Sequence, residues 1–113
     1  MDDYVFVYMT TGTVEEARVI GRRLVEERLA ACANILPAME SIYRWQGEIE
    51  TAREAVLVAK TRAVLADQLA ARVRELHSYD CPCVVALPIV AGNPAYLRWL
   101  GEQTTDPQGS AFA

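Results

Sequence analysis

Apolar and polar positions recur along the chain with two different periods, and these periods predict its first elements. The short apolar run Tyr4–Met9 predicts a buried strand. From Thr13 to about Ala30, apolar side chains recur every three or four residues, as expected for a helix with one buried face. Because Glu16 follows Thr13 by three positions, we expect a capping box at the start of this helix.

A long extended segment, Cys32–Trp45, comes next, and its second half alternates from residue to residue. Pro37 interrupts this segment, so we expect a bend or bulge there. The Gln46-Gly47 pair predicts a turn, after which Glu48–Lys60 returns as the partner strand. Such a hairpin is longer than one small sheet can cover, which predicts pairing with another subunit.

The rest of the chain repeats the order of helix and strand. Thr61 is a candidate cap for a second helix, Arg62–His77. The buried stripe predicted for this helix comprises Leu65, Leu69, Val73 and Leu76. A strand is expected at Val84–Val90, and Asn93-Pro94 predicts the start of a short helix, Ala95–Glu102. The fold class is therefore α+β: a ferredoxin-like βαββαβ sandwich, with an antiparallel sheet, helices on one face and a short C-terminal helix.

Length and composition limit the organisation and the partners. The 113 residues suit one domain, which we place at residues 1–103, followed by a C-terminal tail at 104–113. The net charge of −4 and the lack of a basic cluster argue against nucleic acid as a partner. No apolar run approaches the roughly 20 residues that cross a bilayer, and the acidic N-terminus is unlike a signal peptide. Three cysteines, an odd number, are typical of a reducing cytoplasm.

The segment ELHSYDCPCVVALPI holds the only histidine and two of the three cysteines. In extended chain, residues two apart point the same way, so Cys81 and Cys83 can present both sulfurs on one face. Together with His77 they form a candidate site for Cu(I) or Zn(II), with imidazole and thiolate donors. The alternatives are that the cysteines are buried core thiols or a strained redox pair, and that His77 is a helix C-terminal cap.

A second group of residues is aromatic and polar. Tyr43 and Trp45 share one strand face, and Lys60, the only lysine, ends the partner strand. If a neighbouring subunit brings Tyr79, these four residues form a candidate pocket for a small anionic ligand. The alternative is that the aromatic residues are interface core and that Lys60 pairs with an acid such as Glu54. The sequence offers no convincing pair of nucleophile and base, so we expect a binding protein and not an enzyme.

The segments ERLAACANILP, SIYRWQGEIE, LVAKT and LHSYDCPCVVALPI…YLRWL resemble the CutA divalent-cation tolerance family, in family order from about Tyr4 to Leu100. The resemblance implies a PII-like fold and a cytoplasmic homotrimer whose β-strands interlock between subunits. It also implies copper or another divalent cation as ligand and a role in metal-ion tolerance. We expect no cofactor to be needed for folding. The alternative is a PII-like small-ligand sensor or interaction module with an inter-subunit pocket and no physiological metal.

The chain departs from the family pattern where the metal chemistry is expected. The family's usual HPYEVPE begins here with His77 but ends with Cys83, a cysteine in place of an acid. Some members thought to bind copper carry a cysteine at the end of the first strand and a second adjacent histidine. Met9 and Leu76 occupy those positions here, so Cys81 and Cys83 offer replacement ligands.

Overall fold

The structure, a computed structural model, describes residues 3–105. The strands of this part are β1 Tyr4–Thr11, β2 Cys32–Trp45, β3 Glu48–Arg62 and β4 Val84–Ile89. Its helices are α1 Val14–Glu26, α2 Ala66–Leu76 and α3 Pro94–Glu102, with a 3-10 turn at Ala63–Leu65. The strands form one sheet in the order β2-β3-β1-β4, and every pairing is antiparallel. The predicted ferredoxin-like fold with a C-terminal helix is confirmed.

The hydrophobic core lies between one face of the sheet and the helices α1 and α2. Alternate residues of the central strands, such as Val7 in β1 and Leu57 in β3, point toward the helices and are fully buried. Three of the four residues predicted as the buried stripe of the second helical segment are likewise fully buried, and Leu76 packs partly buried against them. Burial of each such side chain contributes roughly 1.5–3 kcal/mol to the stability of the fold.

Two predicted helix boundaries were wrong. The first helix ends at Glu26 because Arg28 adopts a left-handed conformation with φ 59°, and the Leu29 N–H bonds back to the Leu24 carbonyl at 2.9 Å. The second helix begins at Ala66 because β3 continues through Thr61 to Arg62. Thr61 is fully buried and does not cap the helix.

The C-terminal helix α3 packs on the opposite face of the sheet. Asn93 caps it as predicted by accepting a hydrogen bond from the Ala95 N–H at 3.1 Å. The buried Arg62 guanidinium donates to the Gly101 carbonyl at 2.7 Å and to the Thr104 hydroxyl at 3.0 Å. The first residue of the predicted tail is thus anchored, and residues 106–113 of that tail lie outside the described residues. Within residues 3–105, no helix has the length and apolar character needed to cross a membrane.

The β2–β3 hairpin extends well beyond the helices. The register of its strands shifts between Leu36 and Met39, which confirms the irregularity predicted at Pro37. At the turn, Gln46 and Gly47 both have positive φ, 50° and 84°, as a two-residue hairpin loop requires. The molecule measures 47 × 27 × 23 Å because of this arm. Its tip leaves large apolar side chains uncovered within one chain: Ile42 is 70% and Ile49 61% exposed.

Candidate functional site

The segment after α2, residues 77–83, is anchored by its histidine. The His77 side chain is 0% exposed, and its Nε2 lies 2.8 Å from the Thr10 carbonyl oxygen. Its Nδ1 accepts a hydrogen bond from the Tyr79 N–H at 3.0 Å. Because a carbonyl can only accept, Nε2 carries the proton and the imidazole is the neutral Nε2–H tautomer. His77 also ends α2, with its backbone N–H bonded to the Val73 carbonyl at 2.8 Å, which confirms the helix-cap interpretation.

A carboxylate joins the same segment to the start of α1. The Thr13 hydroxyl accepts from the Glu16 N–H at 3.1 Å, which is the predicted cap. The Glu16 carboxylate accepts from the N–H groups of Gly12 at 3.3 Å and Ser78 at 2.7 Å. In a capping box it would bond only the N–H of the cap residue, so the bond to Ser78 is an additional link between α1 and the segment after α2. Burial alone would raise the pKa of Glu16, but the hydrogen bonds from Ser78 and Gly12 hold that pKa below its usual value.

Tyr79 connects this anchored segment to the hairpin. Its ring packs against the His77 imidazole with the centroids 4.7 Å apart. Its hydroxyl donates to the Glu54 carboxylate at 2.8 Å. Burial and then this hydrogen bond raise the pKa of Tyr79 to about 12, so the phenol remains a donor at neutral pH. Glu54 is therefore bound to Tyr79. Lys60 lies further along β3 and its ammonium contacts Tyr96, so one chain does not form the suggested ion pair between Lys60 and Glu54.

Between the anchored segment and the hairpin lies an open groove of about 750 Å³, which we call the hairpin groove. Tyr43 and Trp45 on β2 line it together with Tyr79. Cys81 and Cys83 line it as well, and both are exposed free thiols. Exposure rules out the alternative that these two cysteines belong to the core. Partial burial and then the nearby Glu54 carboxylate raise the pKa of the Cys83 thiol.

The charges of the hairpin groove all have one sign. Glu40, Glu54 and Asp80 line it, whereas none of its described lining residues is lysine or arginine. Converging carboxylates raise the local concentration of cations and repel anions. Oxygen and thiol donors in one groove are also the donors that metal ions use in proteins. The groove is therefore chemically suited to a cation.

The three predicted metal ligands do not converge in a single chain. Within residues 3–105, no three His, Cys, Asp or Glu side chains are arranged to hold a metal ion together. Cys81 and Cys83 share the hairpin groove, but His77 is buried behind it with both ring nitrogens engaged. The three-ligand site stays a prediction, and the structure supports only its thiol pair as accessible donors.

Lys60 lies apart from the three aromatic residues that were grouped with it. Its ammonium is 3.5 Å from the Tyr96 hydroxyl and 5.6 Å from the centre of the Tyr96 ring. The same hydroxyl is 3.5 Å from the Cys32 sulfur, and the Tyr96 ring packs against Trp99 at 5.5 Å. One chain thus brings together Tyr43, Trp45 and Tyr79 without Lys60. An inter-subunit pocket that would join all four stays a prediction.

Sequence reasoning missed the carboxylates of the groove. The Gln46-Gly47 turn sets the register that places Glu54 opposite Met39, so this much was available from the sequence. Nothing in the sequence showed that the Tyr79 hydroxyl would reach Glu54, because that contact joins the loop after α2 to strand β3, 25 residues earlier in the chain.

Fold and groove together define a small ferredoxin-like, PII-like α+β protein with an acidic, thiol-bearing groove. The family model described as CutA1 divalent ion tolerance protein matches residues 5–103. The divalent-cation tolerance protein CutA of Thermus thermophilus is 51% identical over 98 residues, which cover 87% of this chain and 95% of that one. Its solved structure superimposes with a TM-score of 0.87 at 50% identity, covering 89% and 98% of the two chains.

The similarity extends to plants. The protein CutA 1, chloroplastic, of Oryza sativa is 42% identical over 102 residues, 90% of this chain, and this chain spans 58% of its length. The chain belongs to the CutA divalent-cation tolerance family, as the resemblance predicted. Membership of that family supports a role in metal-ion tolerance.

Proposed function

We propose that this chain assembles into a homotrimer that binds divalent or soft metal ions, copper or a similar cation, as part of metal-ion tolerance in the cytoplasm. One observation carries the metal-binding part: the hairpin groove combines two free thiols with three carboxylates and has no basic residue in its described lining. The proposal is of a binding protein and not of an enzyme, and the ion is not needed for folding.

The trimeric part is supported by apolar surface that one chain leaves uncovered. The hairpin tip exposes Ile42 and Ile49, and the edge strand β4 exposes half of Val85 and nearly half of Leu87. Edge strands with apolar faces pair with another chain unless something covers them. Interlocking strands, which the family resemblance implies, would cover both surfaces.

A PII-like sensor of small anions is the other candidate, and the charges of the groove argue against it. An anion in the hairpin groove would meet Glu40, Glu54 and Asp80, and Lys60 lies elsewhere in the chain. We therefore favour the metal-ion proposal.

Retention of metal tests the proposed function. The reduced protein is dialysed against zinc, cadmium or monovalent copper and then against metal-free buffer, and bound metal is measured by elemental analysis. We expect the wild type to retain metal and the Cys81→Ser/Cys83→Ser double variant to retain none. Cys32→Ser is the matched control, since Cys32 contacts Tyr96 and does not line the groove. Equal retention by the wild type and the double variant, or none by either, contradicts the proposal.

A further inference from the structure

We infer that the ion site of this chain is a two-thiolate site, formed by Cys81 and Cys83, that selects monovalent copper over zinc. This inference rests on the proposed function and deepens it by naming the ion, its oxidation state and the number of protein ligands. Three observations carry it: how many donors converge, what holds His77, and how the two thiols are placed.

The number of available donors argues against zinc. Protein zinc sites are almost always tetrahedral, with three or four ligands from His, Cys, Asp or Glu. Within residues 3–105, no three such side chains converge. Glu54, the carboxylate whose charge acts on Cys83, already accepts the Tyr79 hydroxyl. Within one chain the groove therefore provides two thiols, and its carboxylates do not join them in a group of three converging donors.

His77 is held away from the groove by its own hydrogen bonds. To bind an ion through Nδ1 it would have to release the Tyr79 N–H, and through Nε2 it would have to release the Thr10 carbonyl. Release of the Thr10 carbonyl leaves a partly buried acceptor unpaired beside a fully buried imidazole, whereas the Tyr79 N–H lies at the surface. Such a loss costs about 1–3 kcal/mol. The same contacts fix the start of the segment that carries the two cysteines.

The two thiols are both accessible to a soft ion of low coordination number. Cys81 and Cys83 are exposed, free and lie on the same groove. Pro82 between them has a ring that fixes its φ, so the spacing of the two thiols varies less than in an ordinary loop. Thiolate sulfur is the donor that soft Cu(I) prefers. Two sulfur ligands can complete the coordination of this closed-shell ion, which does not require four tetrahedral ligands. The carboxylates of the groove increase the local concentration of the incoming cation.

Competition titrations under anaerobic, reducing conditions test the inference. Monovalent copper and zinc are titrated separately into the wild type, Cys81→Ser, Cys83→Ser and Cys32→Ser, each against a chelator of known affinity for that ion. We expect one Cu(I) per chain in the wild type and in Cys32→Ser. Each groove cysteine variant should bind Cu(I) at least about 100-fold more weakly, because even changes outside the ligand shell cost 10–100-fold. Zinc should be lost to its chelator in all four proteins.

X-ray absorption at the copper edge gives an independent readout of the ligands. We expect two sulfur neighbours and no nitrogen, with the same spectrum in His77→Gln. A nitrogen neighbour in the wild type, a loss of Cu(I) affinity in folded His77→Gln, or one ion per three chains would overturn the inference. If His77→Gln does not fold, the wild-type spectrum and the cysteine variants decide alone. Zinc bound as tightly as copper through the same cysteines overturns the inference but leaves the proposed function standing, whereas binding of neither ion overturns both.

Discussion

The Nε2–H of His77 donates a 2.8 Å hydrogen bond to the backbone carbonyl of Thr10, the penultimate residue of β1. Through this bond the segment after α2 is attached to the central strand pair of the sheet. The position of both groove cysteines thus depends on a histidine that faces the protein interior and not the groove.

Replacing this histidine should weaken the fold. In His77→Ala, the Thr10 carbonyl and the Tyr79 N–H both lose their partner. We expect the free energy of unfolding to fall by about 1–3 kcal/mol, since a buried polar group is left unsatisfied. Urea denaturation at fixed protein concentration measures this change. His77→Gln, which keeps a donor and an acceptor, should lose less, and wild-type stability in His77→Ala would contradict the anchoring role.

Glu16 should make stability depend on pH in the acidic range. Its pKa in the folded protein lies below the ordinary value of 4.5, so the folded state favours the carboxylate. The resulting stabilisation is complete above about pH 4.5 and is lost as the pH falls through the lower, folded-state pKa. We therefore expect wild type to be more stable than Glu16→Gln at pH 7, with the difference shrinking below pH 4.5. Denaturation curves across this range provide the measurement.

The control for this prediction is Glu15→Gln. Glu15 lies on the same turn of α1, but its side chain is exposed and pairs only with Arg18 in the described part of the chain. Its replacement should leave the pH dependence of stability unchanged. A wild-type advantage over Glu16→Gln that is as large at pH 3 as at pH 7 would contradict the assignment.

The core between the sheet and α2 should be sensitive to loss of volume. Leu69 is fully buried among the core residues. Leu69→Ala should lower the free energy of unfolding by about 2–5 kcal/mol through the lost burial and the cavity left behind. Val19→Ala is the control, because Val19 on α1 is 56% exposed and its truncation should cost within about 0.5 kcal/mol. If Leu69→Ala and Val19→Ala lost similar free energies of unfolding, α2 would not pack against the sheet as described.

The exposed hairpin tip should be required for assembly. Ile42→Glu places a charge on the most exposed apolar side chain of β2. We expect this change to shift the protein from trimer to single chains in light scattering, because burying an unpaired carboxylate at an interface is unfavourable. Val19→Glu introduces the same charge at an exposed apolar position of α1 and should remain trimeric. An Ile42→Glu protein that keeps the wild-type mass would exclude this part of the hairpin from the interface.

Much of the fold could be predicted because it depends on local patterns. The turn at Gln46-Gly47, the irregularity at Pro37 and the cap at Asn93 follow from the backbone preferences of single residues. The helix boundaries at Glu26 and Ala66 could not be predicted in this way. They depend on a left-handed residue after α1 and on the continuation of β3 into the core, where tertiary packing overrides a local capping preference.

The site was predicted less well than the fold, for a physical reason. That Cys81 and Cys83 share a face follows from the period of extended chain. That His77 points away from them follows from a hydrogen bond to β1, a strand 67 positions away in sequence. Long-range contacts of this kind have no local signature. For the same reason, Lys60 was grouped with Tyr43 and Trp45 although it packs against Tyr96 on α3.

Native mass spectrometry of the protein, purified without chelators and then exposed to monovalent copper, tests both the trimer and the binding of copper by Cys81 and Cys83. It reports the number of chains and of bound ions in one spectrum. We expect three chains carrying up to three copper ions, and the same assembly without copper for Cys81→Ser/Cys83→Ser. A single chain, or a copper content that does not depend on these two cysteines, would contradict it.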